Sequence, residues 1–131
     1  MTDTEIPVVV ARVAHGVLTD AVAGPLPLGM VYYTDQRAAL ENLTQALAAC
    51  GDAETVTVRA RTAARARDAM STYERECAKA ISASEAPTNA DFENMCGARY
   101  AAEVLHAAVV ACGAPHAETH YEPDMEEAPR A

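Results

Sequence analysis

Apolar residues recur at steps of three and four over most of this chain, and that recurrence sets its elements. The longest run is Glu54 to Ser84, which contains neither Gly nor Pro. Ala63, Ala66, Met70, Tyr73, Cys77 and Ala80/Ile81 share one side of it, predicting a long helix with a core-facing seam that ends at Cys77 and Ile81. Its first residues, Thr55 to Val58, alternate like a strand, so the secure part of the helix begins near Arg59.

Upstream, Pro7 suits a first helical position, and Val10, Val13, Ala14, Val17 and Ala21 follow at helical spacing until Gly24-Pro25. Helix is the favoured reading there. The β-branched Val8, Val9, Val10 and Val13 keep a strand over residues 6–13 open. The Gly- and Pro-rich stretch 24–29 predicts a fixed loop, and Met30 to Tyr33 predicts either a short strand or the lead-in to a helix capped by Thr34 or Asp35. That helix carries Leu40, Leu43, Leu47 and Cys50 on one side and closes at Gly51. Pro87 marks the next break. A last helix runs from about Ala90 to Cys112, apolar on several sides, as suits a helix in mid-bundle or at a dimer seam. The fold class that results is mainly all-α, a small four-helix bundle-like domain over residues 1–115 with room for a short N-terminal strand or hairpin. Residues 116–131 form an acidic, proline-bearing tail.

A weak internal echo joins two of the helices. Arg37, Ala39, Glu41, Leu43, Ala46, Ala49, Cys50 and Gly51 recur at the same spacing as Arg99, Ala101, Glu103, Leu105, Ala108, Ala111, Cys112 and Gly113. Such an echo is what a duplicated helical hairpin would leave.

Composition narrows the kind of core. Half of the residues are apolar, yet there is one Phe and no Trp, so the bundle is built of slim, closely packed helices. Cys50, Cys77, Cys96 and Cys112 form neither a CxxC pair nor a dense disulfide framework, and they read as buried free thiols of a cytoplasmic protein. No window reaches the ~20 apolar residues of a membrane span. Asp3 and Glu5 stand where a secretory signal would carry basic residues.

Charge changes the picture more. The net charge is −9, but Arg59, Arg61, Arg65, Arg67, Arg75 and Lys79 crowd onto one helix. Phosphate backbones need a continuous positive surface, so general nucleic-acid binding is not expected. Arg61, Arg65, Arg75 and Lys79 are expected on the face opposite the seam. Like charges four residues apart repel, which calls for an anion nearby: a ligand phosphate, nucleic acid, the acidic tail or a neighbouring subunit, with an internal or intersubunit acidic partner favoured over a nucleotide. Arg59, Arg61 and Arg65 are the candidate anion-binding set.

Two further constellations bear on chemistry. Arg99, Glu103 and His106 form a polar stripe on the last helix in which all three can touch, with Glu103 orienting the imidazole and Arg99 meeting an anion; the simpler reading is a solvated helix edge. His116, Glu118 and His120 offer imidazole and carboxylate ligands to a transition metal, although the pattern is neither H-E-x-x-H nor a complete zinc deaminase signature. No Gly-rich phosphate loop or GxSxG elbow is present. The first expectation is therefore a non-catalytic protein-interaction or homo-oligomerisation module without a cofactor, of the phage-type accessory or structural kind that Ala-, Arg- and Val-rich chains from high-GC genomes include. An anion- or nucleotide-binding protein using the arginine face, and a metal-dependent enzyme using the His116/His120 segment, are the alternatives.

Overall fold

The computed structural model of the chain describes residues 3–23 and 30–113. Their order is β1 Asp3–Pro7, α1 Val8–Ala23, α2 Met30–Ala49, β2 Thr55–Arg59, α3 Ala60–Ala83 and α4 Asn89–Ala111. The architecture is mainly helical, with four helices and a two-stranded antiparallel sheet. The loop 24–29 and the tail 116–131 lie outside the described residues.

The alternation at Thr55 to Val58 is a strand: Val56 and Val58 point into the core while Thr55, Thr57 and Arg59 face out. Its partner is the N-terminal segment, paired from Asp3 with Arg59 to Pro7 with Thr55. The N-terminal strand is thus earlier and shorter than 6–13, and helix takes over at Val8, whose N–H donates to the Glu54 carbonyl at 2.8 Å. Pro7 has no N–H to give and sits at the strand's last position. Helix α2 begins at Met30, ahead of the expected Thr34 or Asp35 cap. Asp35 is part of the helix body, and its carboxylate meets Arg61 and Arg65. Helix α4 has a full capping box, with the Thr88 hydroxyl accepting from the Asp91 N–H and the Asp91 carboxylate from the Thr88 N–H.

Strand, helix, helix is followed by strand, helix, helix, and the two halves match in detail. Each first helix starts directly after its strand, at Val8 and at Ala60. The buried Ile6, Val10, Ala11, Ala14 and Leu18 of the first half correspond to the buried Val58, Thr62, Ala63, Ala66 and Met70 of the second. Gln36, Ala39 and Leu43 of α2 correspond to Ala98, Ala101 and Leu105 of α4, all buried. Both second helices end alike. The thiols of Cys50 and Cys112 donate to the carbonyls of Leu47 and Val109 at 3.2 and 3.1 Å, and Gly51 and Gly113 follow at φ of 58° and 66°. Antiparallel pairing of equivalent strands places a local two-fold axis at the Glu5–Thr57 pair. The sequence echo is the visible part of a duplicated β-α-α unit.

The halves differ in length. Helix α3 has 24 residues against 16 in α1, so the α3–α4 hairpin runs on past the elements that cover its base. This corrects the expected seam. Ala63, Ala66 and Met70 are core, but Tyr73 and Ala80 are exposed and Cys77 and Ile81 only half-buried.

Candidate functional site

Helix α3 is the middle of the molecule, and Thr62 to Arg67 are buried without a break. Arg65, 1% exposed, is the largest fully buried side chain. Its Nε donates to the Asp35 carboxylate on α2, and its Nη1 donates to Asp68 Oδ2 at 3.0 Å. Arg61 reaches the other Asp35 oxygen at 3.4 Å. Arg67 lies 3.3 Å from Asp68 Oδ1. Two arginines of the candidate anion set therefore meet the protein's own carboxylates, and Asp35 is the residue that sequence reasoning assigned elsewhere. Arg59 is exposed, with its N–H held by Asn42 Oδ1 at 3.0 Å. Further along, Arg75 turns to the Thr72 hydroxyl and Lys79 to Glu76. The expected common face for Arg61, Arg65, Arg75 and Lys79 divides into a buried ionic end and a solvated end.

Arg99, Glu103 and His106 do line one place, a cleft of about 580 Å³ between α3 and α4 that also holds Arg67, Ser71 and Glu74. Their contacts run across the helices. Arg99 Nε donates to Glu74 Oε2 at 2.7 Å, and this bond and charge raise the Arg99 pKa further. Arg67 Nη1 lies 3.2 Å from His106 Nδ1. A guanidinium can only donate, so Nδ1 is the acceptor in this contact. The α3 residues of the cleft escaped sequence reasoning although 67, 71 and 74 are themselves spaced by four and three.

The duplication supplies a control for this cleft. The matching space between α1 and α2, about 570 Å³, is lined by Val22, Ala23, Arg37, Leu40, Glu41, Thr44 and Gln45. At the places of Arg67 and His106 stand His15 and Thr44, whose Nε2 and hydroxyl are 2.9 Å apart. A hollow that appears twice, with Arg and Glu kept at matching places and the other lining residues changed, follows from the helix packing.

Among the described residues, no group of three or more His, Cys, Asp or Glu is placed to hold a metal ion. His116, Glu118 and His120 lie outside them. No described helix is long and apolar enough to cross a membrane.

No known family, curated protein or solved structure matches this chain. Its own two halves can be compared with each other, and one difference lies on the outside of the second unit. Phe92, Tyr100 and Val110 of α4 are 43, 58 and 51% exposed. At the α2 positions matching Tyr100, Ala107 and Val110 stand Ala38, Gln45 and Ala48, also exposed. The fold thus tolerates small or polar residues at these three places, and Tyr100 and Val110 are not required there by packing.

A second difference lies between α1 and α4. Val9 and Val13 are exposed at the places matching Arg61 and Arg65, and Gly16 and Gly97 match Asp68 and Asp35. Where the first pair of helices closes on an ionic cluster, this pair leaves a groove of about 660 Å³ over Met70 and Tyr73.

Proposed function

We propose that this protein is a small helical association module, acting in the cytoplasm without catalysis of its own, whose docking surface is the outer side of the α3–α4 hairpin. The observation that carries this reading is the exposure of Phe92, Tyr100 and Val110 on α4, of which Tyr100 and Val110 are matched on α2 by the small, exposed Ala38 and Ala48. Exposed aromatics are the residues from which interface anchors are made. Four free cysteines agree with a reducing compartment. The ion pairs of Arg61 and Arg65 with Asp35 favour an internal role for the basic helix over nucleotide capture.

Cross-linking of the full chain in cell extract, read by mass spectrometry beside Phe92→Lys and Tyr100→Lys variants, tests the reading. Cross-links from the α3–α4 hairpin to another chain of any kind, lost in both variants, are expected. A wild-type chain with no such cross-links, and with the same products as the variants, would overturn it.

A further inference from the structure

Resting on that reading, we infer that the partner at this surface is a second copy of the chain, paired antiparallel along α4. Phe92, Cys96, Tyr100, Glu103, Ala107 and Val110 follow one another at steps of three and four, so they form one outward stripe about 27 Å long. Every one of them is exposed. The stripe lies opposite the inward seam of Ala98, Ala101, Leu105 and Val109, so α4 has two apolar sides and the fold covers one.

The order of residues along the stripe selects the occupant. When a copy of α4 is turned end for end about a two-fold axis near Ala101 and Ala102, Phe92 faces Val110 of the second copy and Cys96 faces Ala107. Tyr100 then faces Glu103. Large meets medium, small meets small, and the one carboxylate in the stripe meets a phenol hydroxyl beside the solvent-exposed Arg99 of the other chain. Each contact occurs twice, as an isologous interface requires. A parallel pairing would instead set Glu103 against Glu103 and Arg99 against Arg99, which repel. At the places of Tyr100 and Val110 the first half has the small Ala38 and Ala48, so α2 lacks those two anchors. One helix pair is a modest interface, so the dimer it makes is reversible and depends on concentration.

The decisive experiment traps the register in the full-length protein. Cys50, Cys77 and Cys112 are replaced by Ala, Cys96 is kept, and Ala107→Cys is introduced. Within one chain the two thiols stand about 16 Å apart along a helix and cannot join. Mild oxidation is expected to give a covalent dimer in which Cys96 of each chain is linked to position 107 of the other, and Tyr100→Lys is expected to lower its yield about tenfold. Sedimentation of the wild-type chain, needing no substitution, is expected to show a reversible dimer. A linkage of Cys96 to Cys96, or a chain that sediments as a monomer at every concentration, overturns the inference. If that monomer still forms the hairpin cross-links to a different protein, self-pairing falls while the association reading stands; if it forms none, both fall.

Discussion

The Arg65 guanidinium meets the Asp35 carboxylate across the seam between α2 and α3, and at the matching place between α1 and α4 stand Val13 and Gly97. One half of the molecule is closed by a buried ionic cluster; the other is left open over Met70. The same fold position thus shows what a bundle of slim helices does with charge and without it.

Removing one partner of this cluster is expected to cost far more than removing both. Asp35→Ala leaves Arg65 buried with part of its pairing gone, for a loss of about 3–5 kcal/mol in urea unfolding. Pairing Asp35→Leu with Arg65→Met removes both charges and is expected to restore most of that stability. A loss below about 1 kcal/mol in Asp35→Ala would mean that Arg65 does not depend on Asp35.

The open groove gives the opposite expectation. A Cβ added at Gly16 or Gly97 meets nothing within 4 Å, and both residues have ordinary helical φ. Gly16→Ala and Gly97→Ala should therefore each stabilise the protein by about 0.5–1 kcal/mol through helix propensity alone. Destabilisation by either would show that the space is occupied in solution.

Tyr73, part-exposed on the wall of the same groove, has its pKa raised above 10.0, first by the partial loss of surrounding water, then by the hydrogen bond and charge of Cys77 and the charge of Asp20. The neutral phenol is the form the fold prefers. Its contribution to stability is complete below the ordinary tyrosine pKa of about 10 and is lost as pH rises through the higher folded value. Alkaline denaturation of wild type compared with Tyr73→Phe should show this extra loss only in the wild type. Equal alkaline profiles would contradict it.

How much of this was legible in the sequence follows from what local patterns can carry. The helices, the strand at Thr55 to Val58 and the glycine ends at Gly51 and Gly113 are local, and periodicity or turn chemistry reveals them. Arg65 misleads because a helical wheel gives each helix one inner side, whereas α3 touches neighbours all round. Asp35 looked like a cap because nothing local distinguishes a capping carboxylate from one meant for a partner 30 positions away. Tyr73 and Ile81 have core spacing, but spacing does not say where the covering helix stops. The duplication was faint since the β-α portions match in burial and size more than in residue identity, with Val10 against Thr62 and Leu18 against Met70.

Light scattering on the wild-type chain and on Tyr100→Lys, each across a wide range of concentrations, tests the account most directly. The wild type is expected to rise from one to two chains per particle as concentration increases, while Tyr100→Lys stays at one with unchanged helical circular dichroism. A wild type and a variant of equal mass at every concentration would contradict α4 as the surface on which the protein pairs.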